Sequence, residues 1–103
     1  MGDYNPEVYA VVDIETTLDH QTIHGAGITL VQHGRVLLSE WVTSPESLTN
    51  TLNGATHVVG HNLLGFDLPV LAKVWDFTLP PSVGVIDTLV MSRLANPSRD
   101  GGH

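Results

Sequence analysis

Two β-rich runs, 23–32 (IHGAGITLVQ) and 35–42 (RVLLSEWV), are separated by only two residues, His33-Gly34. A connection that short calls for an antiparallel hairpin, because parallel strands need a crossover of a dozen or more residues. The apolar run from Val8 to Ile14 precedes the hairpin and extends it to a three-stranded antiparallel meander. After Val42 the pattern changes. Ser44-Pro45-Glu46 reads as an N-cap, a proline at the first helical position and an acid in the first turn, ahead of Leu48 and Leu52 at helical spacing. That helix should end near Asn53-Gly54. His57 to Gly60 reads as a short buried strand, and 67–76 as a helix with Leu68, Leu71, Val74 and Trp75 on its apolar side. Pro80-Pro81 enforces a loop, Val83 to Ile86 a brief strand, and Asp87-Thr88 opens a helix through Leu94. The order β-β-β-α-β-α-β-α predicts an α/β domain with a mixed sheet, whose later half favours parallel neighbours.

A chain of 103 residues with 42% hydrophobic side chains suffices for one core. Residues 1–6 read as a loose, disordered leader, 7–95 as the body of the domain, and 96–103 as a loop leading to a C-terminal part that is missing. The expected domain is therefore incomplete at its C-terminus. The absence of cysteine removes disulfides and thiolate zinc sites. With neither a long apolar window nor a basic-then-apolar leader, the expectation is a soluble, cytoplasmic protein with no membrane partner. Four Lys+Arg against eleven Asp+Glu give a net charge of −7. This argues against a module that grips nucleic acid through a basic patch. It leaves open an enzyme that holds phosphates through metal ions, which needs carboxylates first.

Such carboxylates interrupt the first strand. In "VVDIETT", Asp13 and Glu15 share a face, roughly 7 Å apart at Cα, while Val12 and Ile14 point to the other. Two like charges side by side repel, and a divalent cation relieves them. The plain alternative is a pair of solvent-facing acids on an edge strand. A second stretch, "HNLLGFDLPVL", puts Asp67 where a helix begins; it either caps that helix or joins the acids of strand one, at the rim where strand ends converge and ligands bind. Hard oxygen ligands suit Mg²⁺ or Mn²⁺. His20 and His24, four residues apart, read as a solvated loop rather than a zinc pair, and Asp87 as an N-cap. Trp41 and Trp75 read as packing in or beside the core, and Arg93 and Arg99 as ordinary surface residues.

"DIETT" resembles the first motif of the DEDD, or DnaQ-like, 3′-to-5′ exonucleases, and "HNLLGFD" resembles their second. From "GHNLLGFDLPVLAKV" to "VIDTLVMSRL" the chain is closer still to the proofreading exonuclease domain of bacteriophage family-A DNA polymerases. The resemblance runs from about Val8 to Leu94 and implies an RNase H-like fold. It implies hydrolysis of the terminal phosphodiester of single-stranded DNA with two divalent ions, Mg²⁺ or Mn²⁺, held by Asp13, Glu15 and Asp67. It further implies substrate contacts from Thr16, Thr17, Asn62 and Phe66, a polymerase domain in the full-length chain, and the host cytoplasm as location if the source is a phage. The family's third motif, a fourth acid with a Tyr or His four residues ahead, has no match here. The chain itself is thus expected to be weakly active or inactive, with an uncovered sheet face that a second copy could bury as a homodimer. The alternatives are an exonuclease of the same family acting on RNA, or a non-catalytic remnant that keeps a metal.

Overall fold

A computed structural model describes residues 7–95, so the expectations placed on 1–6 and 96–103 lie outside the described residues. The strands are β1 (Tyr9–Thr16), β2 (Ile23–Gln32), β3 (Arg35–Val42), β4 (His57–Gly60) and β5 (Gly84–Asp87). The α-helices are α1 (Pro45–Leu52), α2 (Leu68–Trp75) and α3 (Thr88–Ala95). A π-helical turn, Leu63–Asp67, leads directly into α2. The sheet order is β3-β2-β1-β4-β5, antiparallel from β3 to β1 and parallel from β1 through β4 to β5. This is the expected α/β mixed sheet, with β1 in its centre.

Local chemistry explains the elements. His33 and Gly34 both take positive φ, 54° and 74°, as the tight turn between β2 and β3 requires. The Ser44 hydroxyl oxygen accepts the N–H of Ser47 at 3.1 Å, closing the start of α1 on its proline. Glu40 on β3 accepts the hydroxyl of Thr51, tying α1 to the sheet. The core forms on one sheet face, where Ala10, Val12 and Ile14 of β1, Ala26 and Ile28 of β2 and Val58 of β4 meet Leu48 and Leu52 of α1 and Leu71 of α2. Alternation sends Val11, Asp13 and Glu15 to the opposite face, where they are exposed.

Three boundaries and one environment differ from expectation. β1 runs to Thr16 rather than Ile14, because pairing with β2 continues through Glu15↔Gly25 and Thr16↔Ile23. β5 is displaced by one residue and includes Asp87, which pairs with Gly60. The segment ahead of α2 is a π turn, not a loop. Trp75 packs partly buried against the core as expected, but Trp41 is 53% exposed. Val42 is buried at 5%, and neighbours on one strand cannot both face inward.

Candidate active site

β1 is longer than its partner. It pairs with β4 only from Tyr9 to Val11, which leaves the β4-side edge of β1 unpaired towards its C-terminus. The N–H of Ile14 lies in that stretch, and Asp67 Oδ2 accepts it at 3.4 Å. Ile14 separates Asp13 from Glu15, so Asp67 is anchored to the backbone between the two strand acids. Because β1 is central, the edge-strand reading of Asp13 and Glu15 does not hold. Next to them the ladder is irregular: Thr16 pairs with Ile23, leaving His24 as an extra residue on β2, a bulge of the kind that re-aims side chains.

Asp67 does not cap α2. Its own backbone is helical, φ −60° and ψ −50°, and its side chain makes no capping bond. The π turn places it there. Asn62 starts the turn in the left-handed region, φ 67°, which asparagine tolerates better than most residues. Its carbonyl accepts the N–H of Phe66 at 2.9 Å and of Asp67 at 3.4 Å, and the carbonyl of Leu63 accepts the N–H of Leu68. At Gly65 an added Cβ would run into Oδ1 of Asn62, so a larger residue there makes the Asn62 side chain move. π turns of this sort recur at functional sites.

The buried carboxylate of Asp87, read from sequence as a simple cap, holds this turn from outside. It accepts the N–H of Leu89 at 3.0 Å, as a cap would, and also those of Asn62 at 2.8 Å and Leu64 at 2.9 Å. Thr88 adds a second tie, donating to the Gly60 carbonyl at 3.3 Å and meeting His61 Nδ1 at 3.0 Å. Burial acts to raise the Asp87 pKa, but the N–H groups of Leu64, Asn62 and Leu89 outweigh it and hold the carboxyl below its ordinary value. Asp87 therefore stays ionised and fixes the loop that carries Asp67. The sequence signal was present: an acid at a strand end immediately followed by Thr.

Asp67 has the opposite electrostatics. Desolvation is the chief cause that pushes its pKa from 3.8 up to about 6, against the Ile14 N–H and with help from the charges of Asp13 and Asp87. Asp13 and Asp67 are thus close enough to repel. Among the described residues no group of three or more His, Asp or Glu side chains is placed so that it could hold a metal ion. The donor set is nonetheless all oxygen: two carboxylates on an exposed strand face and a buried one, disfavoured as an anion, at the adjoining edge. Carboxylate oxygens are the donor type that hard divalent cations take.

Of the remaining residues singled out in the sequence, Thr16 donates its hydroxyl to the Thr17 carbonyl at 2.9 Å. The N–H of Thr17 is engaged by the Thr22 carbonyl at 3.0 Å, and its hydroxyl donates to Asp19 at 2.6 Å. Phe66 is half-buried and meets His20 edge-on, ring centroids 4.9 Å apart, so His20 is not a purely solvated loop residue. His24 is exposed on β2. A shallow groove lined by Pro45, Glu46, Thr49, Asp76 and Phe77 lies at the other end of α2 from Asp67 and has no part in this constellation.

No protein-family model matches the chain, and no curated protein matches it. In structure it is similar to the family B DNA polymerase from the hyperthermophilic archaeon Pyrobaculum calidifontis, with a TM-score of 0.54 at 20% sequence identity. The match covers 73% of this chain and 12% of the polymerase chain, so this chain corresponds to a small part of that protein. The likeness concerns the fold and agrees with an α/β, RNase H-like domain. No helix among the described residues is long and apolar enough to cross a membrane.

Proposed function

We propose that the chain is the metal-gripping portion of a 3′-to-5′ exonuclease acting on the end of single-stranded DNA in association with a polymerase. The observation that carries this reading is the bond from the Ile14 N–H to Asp67, which sets a third carboxylate at the strand edge between Asp13 and Glu15. The motif resemblance and the likeness to part of a DNA polymerase support it.

Asp13, Glu15 and Asp67 would hold the divalent ions, Mg²⁺ or Mn²⁺. Bound ions of this type supply a hydroxide nucleophile and steady the leaving oxygen of an in-line displacement. The chain's own contribution is positional. Asp87 and Thr88 lock the π turn, the turn delivers Asp67, and the open face beside Asp13 and Glu15 leaves room for a strand terminus. A net charge of −7 makes the ions the principal attraction for phosphate. Residues 7–95 match neither the fourth acid nor the Tyr or His of the family's third motif, so slow hydrolysis is expected from these residues alone.

Calorimetric titration with Mn²⁺ should show binding that disappears in Asp13→Asn. If a chain carrying both Asp13→Asn and Glu15→Gln binds Mn²⁺ as the parent does, the constellation is wrong. Binding of Mn²⁺ with no release of 5′-mononucleotides from single-stranded DNA would favour a non-catalytic metal-binding role. Faster release from RNA than from DNA of the same sequence would move the substrate to RNA.

A further inference from the structure

Trp41 on β3 lies across β2 instead of entering the core. A Cβ built on Gly25 would overlap its six-membered ring and come within 2.8 Å of Nε1, so the indole rests directly on the glycine backbone. Gly25 is the register partner of Glu15, and Gly27 that of both Asp13 and Trp41. Opposed residues share a sheet face, and neighbouring strands lie about 4.8 Å apart. The indole thus lies about one strand spacing from the two acids, on their side of the sheet. It is 53% exposed.

The geometry points to Trp41 as a stacking platform for a nucleobase of the single strand whose terminal phosphodiester would meet the divalent ions at Asp13, Glu15 and Asp67, an inference that rests on the function proposed above. Charge supplies the second reason. Four Lys+Arg against eleven acids cannot hold a polyphosphate chain by ion pairing, so affinity beyond the metal must come from contacts indifferent to charge. Base–aromatic stacking is such a contact and tolerates any sequence. The other aromatic side chains among the described residues are committed elsewhere. Phe77 is buried, Trp75 and Phe66 pack against the core, and Tyr9 stacks on His57 at 5.3 Å. The glycine at 25 makes room for the indole itself, and the glycine at 27, opposite Asp13, keeps the neighbouring surface low, where a larger side chain would stand between the base and the carboxylates.

The test uses the full chain in a Trp75→Phe background, so that Trp41 is the sole indole, with Mn²⁺ and a short oligothymidylate whose 3′-terminal linkage is a phosphorothioate to slow cleavage. The oligothymidylate should quench the fluorescence, and an abasic oligonucleotide of equal length should not. Trp41→Leu, which keeps apolar cover over Gly25 but offers no ring and is therefore read by calorimetry, should weaken oligothymidylate binding about ten-fold and leave Mn²⁺ and abasic binding unchanged. Trp41→Phe should restore most of the loss. If the leucine variant binds Mn²⁺ and oligothymidylate as the parent does, the indole merely shields a glycine and the platform is refuted while the metal site stands. If the parent binds no Mn²⁺ but is still quenched by the base-bearing strand alone, the metal reading falls and the platform survives. No quenching in any condition overturns the platform.

Discussion

Replacing Asp67 with Asn should make the metal-free protein more stable at neutral pH. The carboxyl is 5% exposed, and burial is the main cause of its rise from 3.8 to about 6, with Asp13 and Asp87 adding repulsion. A rise of that size favours the protonated form by about 3 kcal/mol. Because the folded-state pKa lies above the unfolded one, the associated stability is fully present below about pH 4 and is lost as pH climbs through about 6. Above that range the folded protein carries an unwelcome anion. Asparagine has nearly the same shape and keeps an oxygen for the Ile14 N–H, so it removes the charge without opening a cavity. Its amide N–H₂ still needs a partner, and we therefore expect a net gain of about 1–3 kcal/mol at pH 8. For a domain of this size that corresponds to a rise in Tm of roughly 4–8 °C per kcal/mol. The assay is urea denaturation of parent and variant in EDTA from pH 4 to pH 8, with the difference between the two isolating this one group. The difference should be small or favour the parent at pH 4 and swing towards the variant by pH 7. Saturating Mn²⁺ should reverse the order, stabilising the parent and not the variant. A difference that stays constant from pH 4 to pH 8 would show that the carboxyl is not buried beside the charges of Asp13 and Asp87, and the site would have to be redrawn.

Asp87→Asn replaces one acceptor oxygen with a donor facing the N–H groups of Asn62, Leu64 and Leu89, and should weaken Mn²⁺ affinity about 10–100-fold although Asp87 is no proposed ligand; calorimetry would read it, and unchanged affinity would make the clamp irrelevant to the site. Gly65→Val drives a side chain into Asn62 and should disturb the π turn, seen as shifts of the Asp67 and Leu68 amide resonances. Leu48→Ala, wholly buried on α1, should cost about 2–5 kcal/mol in urea denaturation and leave the metal affinity of the folded protein unaltered, which separates core from site.

The parts of this chain that could be read from its sequence are those in which near neighbours decide the conformation. His33-Gly34 determines a hairpin because both residues must take positive φ, and Ser44-Pro45 determines a helix start because the cap bond closes within three residues. The shared face of Asp13 and Glu15 follows from strand alternation in the same way. The π turn is different. Nothing in "LLGFD" separates an i-to-i−5 turn from a loop until Asp87, over twenty residues later, accepts the N–H groups of Asn62 and Leu64. The role of Asp67 depends on that distant clamp and on β1 outrunning β4, a sheet-level mismatch that no local window contains. Trp41 is the instructive exception, because its side was decidable in advance. With Val42 required for the core over α1, alternation forces Trp41 outward, and the hydrophobicity of its side chain argued for the opposite. Where residue type and strand parity disagree, parity wins, because turning Trp41 inward would turn Val42 outward and take it from the core.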